Sequence, residues 1–567
     1  MTVGSLLPTK IDYDKSYNGL SQSYIMGIPS YFSQIIKGYP QIVKSFPQHS
    51  KTKFHNLYMD CNSIVYDAIR TMNGPVNEMK LIQEVVAKIE AYILKIGPSD
   101  TVMVAFDGVA PFAKMNQQKT RRYKSSFLAA KSEWSTSNIT PGTKFMDELS
   151  KQLANAFTGS EKKYKVKQMV VSGSNDIGEG EHKIFQHIRE NPKRDQNVLV
   201  YGLDSDLIML TIFHSHLYQN GFIFRETPEF IKSCGKPQAT GKSLATSKPL
   251  ATSKPQATSK TQPSCKSLAS KTADEEQELS FLDIRLLCDS IQKEMGCDAS
   301  LSSRVYDYVF LCFMLGNDFL PHFPALNLRT HGMTTLMDMY RQVIGKYPNR
   351  YLVDITTRTI YWNHFKTMIT ELAKNETALL LAEYEVRDKH DKRFWPMKTQ
   401  EERDFAQLNI PIIYRAEEKY ICPTEPLWEE RYYKALFHTA DKRVIAKNYL
   451  EGLEWVFRYY SGDCPDWRWS YEHHYPPLLA DLQYHCPTNG TTLIPVCRNA
   501  FTPAVQLAYV LPRAQFDLLS EPMRKFLLTH YSEQYSDNVE FQWAFCRYFW
   551  EAHVIFTPIS VDELDKW

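Results

Sequence analysis

Apolar positions along the chain follow two rhythms. Three short, nearly continuous apolar runs each end in acid: "NLYMD" at Asp60, "TVMVAFD" at Asp107, and "NVLVYGLDSD" at Asp204 and Asp206. Each precedes a turn or a helical pattern, which predicts buried parallel strands with both faces covered. In "MGIPSYFSQIIKGYP" the period is helical instead and sets Tyr31, Phe32, Ile35 and Ile36 on one side. "GEGEHKIFQHI" opens an amphipathic helix carrying Ile184, Phe185 and Ile188, and helical patterns resume at about Glu278 through "FLDIRLLCDSIQKEM" and "DYVFLCFMLGNDFLPHFPAL". The fold class is therefore α/β, a mainly parallel sheet flanked by helices, with an α/β, helix-rich C-terminal region.

Breaks in the pattern divide the chain. Residues 1–25 are polar and irregular and read as an N-terminal extension before a first part of the main domain, 26–231. Residues 232–277 repeat roughly every six positions and hold eight lysines from Lys232 to Lys271 with no acid between them. Such composition cannot bury enough apolar surface to offset its ordering entropy, so this Lys/Ser/Thr/Pro segment is expected to be a disordered insertion. The main domain continues over 278–382. A charged stretch at 383–427 reads as a linker to an aromatic-rich region, 428–567.

With 567 residues and 43% apolar content, two or three domains with ample core are expected. A net charge of +2 offers no global field, so any polyanion site must be local. The eleven cysteines never form C-x-x-C, which suggests thiols in a reducing compartment. Cys464, His473, His474, His485, Cys486 and Cys497 include no short ligand pair for zinc. The first twenty residues lack the pattern of a secretory signal, and no apolar run reaches eighteen residues. An intracellular protein without membrane spans is the expectation.

The candidate chemistry lies at the ends of the apolar runs. Asp60, Asp107, Glu179, Glu181, Asp204, Asp206 and Asp318 ("LGNDFLP") all end strands or open helices, and in an extended segment Asp204 and Asp206 would point the same way. One such acid alone is ordinarily a helix cap or complements a helix dipole. Seven gathered at one sheet edge would repel by several kcal/mol unless cations sat among them. Oxygen ligands select Mg²⁺ or Mn²⁺, and two such ions about 3.5–4 Å apart are the usual apparatus of phosphodiester hydrolysis. One turn beyond Asp107, Lys114, Gln118, Arg121 and Arg122 share a helical face with no interleaved acid, a pattern suited to phosphate.

"MGIPSYFSQIIKGYP", "MDCNSIVYDA", "DGVAPFAKMNQQKTRR", "SGSNDIGEGEHKI", "YGLDSDLIML" and "FLCFMLGNDFLPHFP" resemble the first conserved region of the Xrn-type 5′→3′ exoribonucleases. "YLEGLEWVFRYYSGDCPDWRWSYEHHYPP" and "FTPAVQLAYVLP" resemble the second. The resemblance implies a PIN/5′-nuclease-like core in which the seven acids are catalytic and bind Mg²⁺ (or Mn²⁺), two ions in all. It implies that Lys114, Gln118, Arg121 and Arg122 form a pocket for the 5′-monophosphate of single-stranded RNA. Tyr66 falls where the family motif has a base-stacking histidine, which keeps a π-face for stacking, and Trp467 or Trp469 is the candidate partner ring. "YEHHYPP" departs from the family's "YPYHYAP". The 25-residue leader is unusual for the family, and the chain reads as a minimal member without the long C-terminal extension. The function implied is a Mg²⁺-dependent, processive 5′→3′ exoribonuclease that degrades uncapped, 5′-monophosphorylated RNA, acting as a cytoplasmic monomer, with the nucleus left open. The alternatives are a flap-type DNA nuclease, disfavoured for want of a helix-hairpin-helix glycine motif, and a catalytically idle RNA-binding or assembly factor, disfavoured because no metal-site acid is replaced.

Overall fold

The computed structural model describes residues 31–45, 52–72, 74–128, 134–227, 278–296, 303–439 and 441–567. The expected extension at 1–25 and the repeat at 232–277 lie outside the described residues. Seven strands form one sheet: β1 (Val43–Ser45), β2 (Asn56–Asp60), β3 (Thr101–Ala105), β4 (Gln168–Ser172), β5 (Lys193–Tyr201), β6 (Tyr218–Glu226) and β7 (Leu279–Asp283). Their order is β1-β7-β6-β5-β2-β3-β4. The five strands from β4 to β6 run parallel, and β7 and β1 close one edge antiparallel.

The three apolar runs become β2, β3 and β5. Their side chains alternate between two cores: Tyr58, Val198 and Val200 join one, Leu57, Met59, Leu199 and Tyr201 the other. The direction of strand order reverses between β2 and β5, which makes the crevice beyond their carboxyl ends the natural ligand site of such a sheet. One boundary differs from expectation. "LSFLD" is strand β7, and the helix begins only at Ile284, capped by Asp283, whose Oδ1 accepts from Leu286 N at 3.0 Å. Pairing with β6 overrides the continuous apolar pattern that reads as one helix.

The C-terminal region does not stand apart. Its long helix Lys442–Ser461 sends Leu453, Trp455, Val456, Phe457, Tyr459 and Tyr460 into the same core as Phe213, Phe310 and Phe313. Phe213 meets Phe457 edge to face at 5.9 Å, and Phe313 meets Tyr460 at 5.2 Å. Among the described residues no helix is long and apolar enough to cross a membrane.

Residues 383–427, expected as a linker, are instead packed helices: Glu376–Asp391, Gln400–Leu408, Ile410–Tyr414 and Ala416–Ile421. The charges that suggest a linker are consumed internally. Glu418, fully buried, accepts from Arg387 Nε at 2.8 Å and Arg415 Nε at 2.5 Å. Arg387 also donates to the Cys546 carbonyl at 2.9 Å, and Phe545 N donates to Glu418 at 2.9 Å. Removing the carboxylate would leave buried Arg387 with backbone carbonyls alone and Arg415 with only Asp388, at 2.6 Å. Glu418→Ala is expected to cost about 3–5 kcal/mol in denaturant unfolding, whereas Glu371→Ala at the exposed Lys374 pair changes stability by no more than about 1 kcal/mol.

Candidate active site

The sheet brings the acids together. Asp60 ends β2, and Asp107 follows β3 by two residues. Asn62 fixes Asp107 from both sides: its Nδ2 donates to Asp107 Oδ2, and its Oδ1 accepts from Asp107 N at 3.1 Å. Glu179 stands at the N-cap of the helix Gly180–Glu190 and Glu181 in its first turn. Gly180 lets this helix end approach: its N–H donates to Asp107 Oδ1 at 2.7 Å, and a Cβ there would lie 2.6 Å from Asp60 Oδ1. Asp204 lies in the loop after β5, and Asp206 opens the helix Asp206–Phe213. The two therefore share the site through a turn into a helix, not through an extended strand. Asn317 shapes the turn at Asp318 by accepting from Phe319 N and Leu320 N, both at 2.9 Å.

Asp60, Glu181 and Asp204 can each place one oxygen within 4.8 Å of the others'. Burial pushes Asp60 and Glu181 well above the usual carboxylate range, helped by Asp107 and Asp206 respectively. Burial first, then Asp318 beside them, raises Asp204 to about 6 and Asp206 to about 7. Asp60 Oδ1, Glu181 Oε2 and Asp206 Oδ1 are buried without any hydrogen-bond partner. Buried oxygens ordinarily have partners. An all-oxygen set of bare carboxylates fits a hard divalent cation.

Lys114 does not face outward, as a basic surface helix would have it. Its ammonium lies 2.6 Å from Glu179 Oε2 and 2.7 Å from Asp318 Oδ2, inside the acidic cluster. Burial works against its charge, but Asp318, Glu179 and Glu181 outweigh it and hold the pKa well above the ordinary lysine value. The expectation of a basic face without acidic partners holds along the helix Phe112–Leu128 and fails in space, because these acids come from elsewhere in the chain.

Gln118 is buried and accepts from Gln506 Nε2 at 3.2 Å. Arg122 is buried, with Nη2 donating to Thr140 Oγ1 at 2.6 Å and Nη1 left without a partner. Burial, then Arg121 beside it, lowers its pKa to about 10, and Tyr66 acts on the same guanidinium. Arg121 in turn lowers the pKa of Asp204, so the basic helix and the acids share one field. Arg121 and Asp318 also border a cavity of about 1720 Å³.

The two tryptophans separate. Trp467 is half-buried, with its Cη2 3.9 Å from where a Cβ on Gly178 would stand. Trp469 is buried and stacks on Trp455 at 5.3 Å, so it belongs to the core. The pattern overlooks Tyr459 and Tyr460, whose hydroxyls donate to Glu179 Oε1 at 2.8 Å and Asp206 Oδ2 at 2.6 Å. It also overlooks Lys183, which donates to the Phe106 and Gly173 carbonyls at 2.9 and 2.7 Å and ties the ends of β3 and β4. No spacing rule links residues 459 and 460 to acids some 250 positions away. Only Asn62, two residues after Asp60, had a local signal.

A family model described as "XRN 5′-3′ exonuclease N-terminus" matches residues 26–227, and "Xrn1 helical domain" matches 300–425 and 421–563. The two between them cover most of the sequence, and the chain belongs to the Xrn-type 5′→3′ exoribonuclease family. It is similar to the "5′-3′ exoribonuclease 2 homolog" of Drosophila melanogaster, 26% identical over 84% of this chain and 61% of that one. It is also similar to "5′-3′ exoribonuclease 1" of Homo sapiens, 26% identical over 87% of this chain and 31% of that one. "5′-3′ exoribonuclease 1" of Saccharomyces cerevisiae is 26% identical over 90% and 40%. The chain thus spans less than two thirds of the length of these curated relatives. The solved catalytic core of Rad2 in complex with DNA substrate aligns at TM-score 0.31 and 11% identity over 61% of this chain and 76% of that one, a likeness too slight to argue from.

The raised carboxyls make a testable link between pH and stability. Between the unfolded carboxylate pKa of about 3.9 and the folded values of about 6 and 7 at Asp204 and Asp206, the folded state holds protons that the unfolded chain has released. Ionising the cluster therefore costs stability as pH rises through this window. A divalent cation offsets that cost and competes with the protons. Calorimetry at pH 5 to 8, in chelator and in Mg²⁺, should show a gap in melting temperature that widens with pH; a pH-independent gap would contradict the linkage.

Proposed function

We propose that this protein is a Mg²⁺-dependent, processive 5′→3′ exoribonuclease that removes nucleoside 5′-monophosphates from uncapped, 5′-monophosphorylated RNA. The observation that carries the reading is the pairing of two unsatisfied sets: bare, buried carboxylate oxygens on one side, and the unpartnered Nη1 of Arg122 on the other. The relatives, named as 5′-3′ exoribonucleases, supply the substrate class.

The seven acids Asp60, Asp107, Glu179, Glu181, Asp204, Asp206 and Asp318 would hold two Mg²⁺ or Mn²⁺ ions. Such ions would supply an activated water and countercharge for the leaving oxygen. The chain's own residues do the rest. Arg121, Arg122 and Gln118 bind the terminal phosphate, and Lys114 contributes positive charge at the junction between that phosphate and the acids. Tyr66 and Trp467 stack the first bases. Tyr459 and Tyr460 orient Glu179 and Asp206. Because the phosphate pocket is built on a helix that begins five residues after Asp107, only a chain end fits both halves at once. The cavity bordered by Arg121 and Asp318 provides room for the strand beyond the first linkage. The enzyme acts as a monomer in the cytoplasm, with the nucleus as the alternative; the described cysteines are all free, in keeping with a reducing compartment of either kind.

End-labelled RNA carrying a 5′-monophosphate, a 5′-hydroxyl or a cap, beside a DNA flap, tests the proposal in Mg²⁺. Mononucleotides from the monophosphorylated RNA alone are expected. Cleavage of the flap would favour a DNA nuclease, and retention of RNA without cleavage would favour an idle binding factor. Asp204→Ala should reduce cleavage by at least about a thousandfold while RNA binding persists, since it removes a metal-site oxygen. Arg122→Ala or Arg121→Ala should lower the preference for monophosphate over hydroxyl ends by about 10–100-fold, the worth of a charge-assisted hydrogen bond.

A further inference from the structure

His182 follows Glu181 on the helix Gly180–Glu190, and its ring lies against the residues that hold the acidic cluster in place. It stacks on Tyr459 with centroids 3.6 Å apart and planes at 22°, and meets Tyr460 edge to face at 5.8 Å. These two tyrosines donate to Glu179 and Asp206. The ring is therefore fixed by the same groups that orient the acids.

One of its nitrogens, Nε2, is buried and has no hydrogen-bond partner. The residue is 8% exposed, so bulk water does not satisfy it. A histidine nitrogen buried without a hydrogen-bond partner is an atom through which neutral imidazole can ligate a metal. Nε2 lies 3.9 Å from Glu181 Oε1. That is too long for a hydrogen bond, yet two atoms each about 2.1 Å from one ion can be up to about 4.2 Å apart. Glu179, Glu181 and His182 can each place one ligand atom within 4.8 Å of the others'.

We propose that His182 Nε2 is a ligand, with Glu179 and Glu181, to one divalent cation of the acidic centre, and that it biases this position toward Mn²⁺ over Mg²⁺. The inference rests on the reading of that centre as a cation site. Mg²⁺ prefers oxygen throughout, whereas imidazole nitrogen suits transition metals, so a nitrogen in an otherwise all-oxygen set separates the two ions.

Mn²⁺ is both the probe and the readout. The intact, untagged protein, stripped of metal and loaded with Mn²⁺, is measured by pulsed electron paramagnetic resonance. The expected spectrum carries an imidazole nitrogen coupling that changes isotope pattern when histidine is ¹⁵N-labelled. His182→Phe, which keeps the ring stack on Tyr459, should lose that coupling and bind Mn²⁺ about tenfold more weakly, with a smaller change for Mg²⁺. Bound Mn²⁺ with no nitrogen coupling in the parent, or a coupling that persists in the variant, overturns the proposal and leaves the cation site standing. Absence of any bound Mn²⁺ overturns both. Should the variant fail to fold, the labelled parent spectrum decides alone.

Discussion

Lys114 Nζ sits 2.6 Å from Glu179 and 2.7 Å from Asp318, and the arrangement of the whole sheet edge depends on this contact. Two like charges 4 Å apart in a partly buried setting repel by about 4 kcal/mol, and seven carboxylates make many such pairs. One buried ammonium cannot cancel that, so the remaining cost appears as carboxyls that hold their protons at unusually high pH and as oxygens without partners. The same lysine belongs to the helix that carries Gln118, Arg121 and Arg122. Charge compensation of the acids and construction of the anion pocket are thus one structural decision.

The second consequence concerns the C-terminal region. Tyr459 and Tyr460 come from the helix Lys442–Ser461, yet their hydroxyls end on Glu179 and Asp206, and their rings lie in the core that covers the sheet. Gln506, on another C-terminal segment, reaches both Gln118 and the Ala110 backbone. The α/β domain supplies the acids, and the distant half of the chain orients them. The helices of 383–427 are tied to the C-terminal end of the chain through the Arg387–Glu418 contacts, which end on the backbone of residues 545 and 546.

Much of the site is legible in the sequence because its parts are local. An apolar run that ends in acid marks the carboxyl end of a buried strand, and the reversal of strand order between β2 and β5 makes those ends converge. Asp204 and Asp206 show the limit of this reasoning. They converge as expected, but through a loop and a helix start, because β5 ends at Tyr201. Strand β7 was hidden for a related reason: five residues of apolar pattern cannot distinguish a strand from the first turn of a helix, and its partner β6 decides.

By itself the sequence determined the parallel sheet, the seven acids and the basic helix, since each is written in side-chain period and short-range spacing. Tertiary structure alone decided where the charges went. It turned Lys114 inward, put Trp469 into the core and left Trp467 beside Gly178, brought Tyr459 and His182 around Glu179, and set Tyr460 on Asp206. Those outcomes depend on contacts between segments hundreds of residues apart, where burial and charge pairing set the geometry and no local period records it.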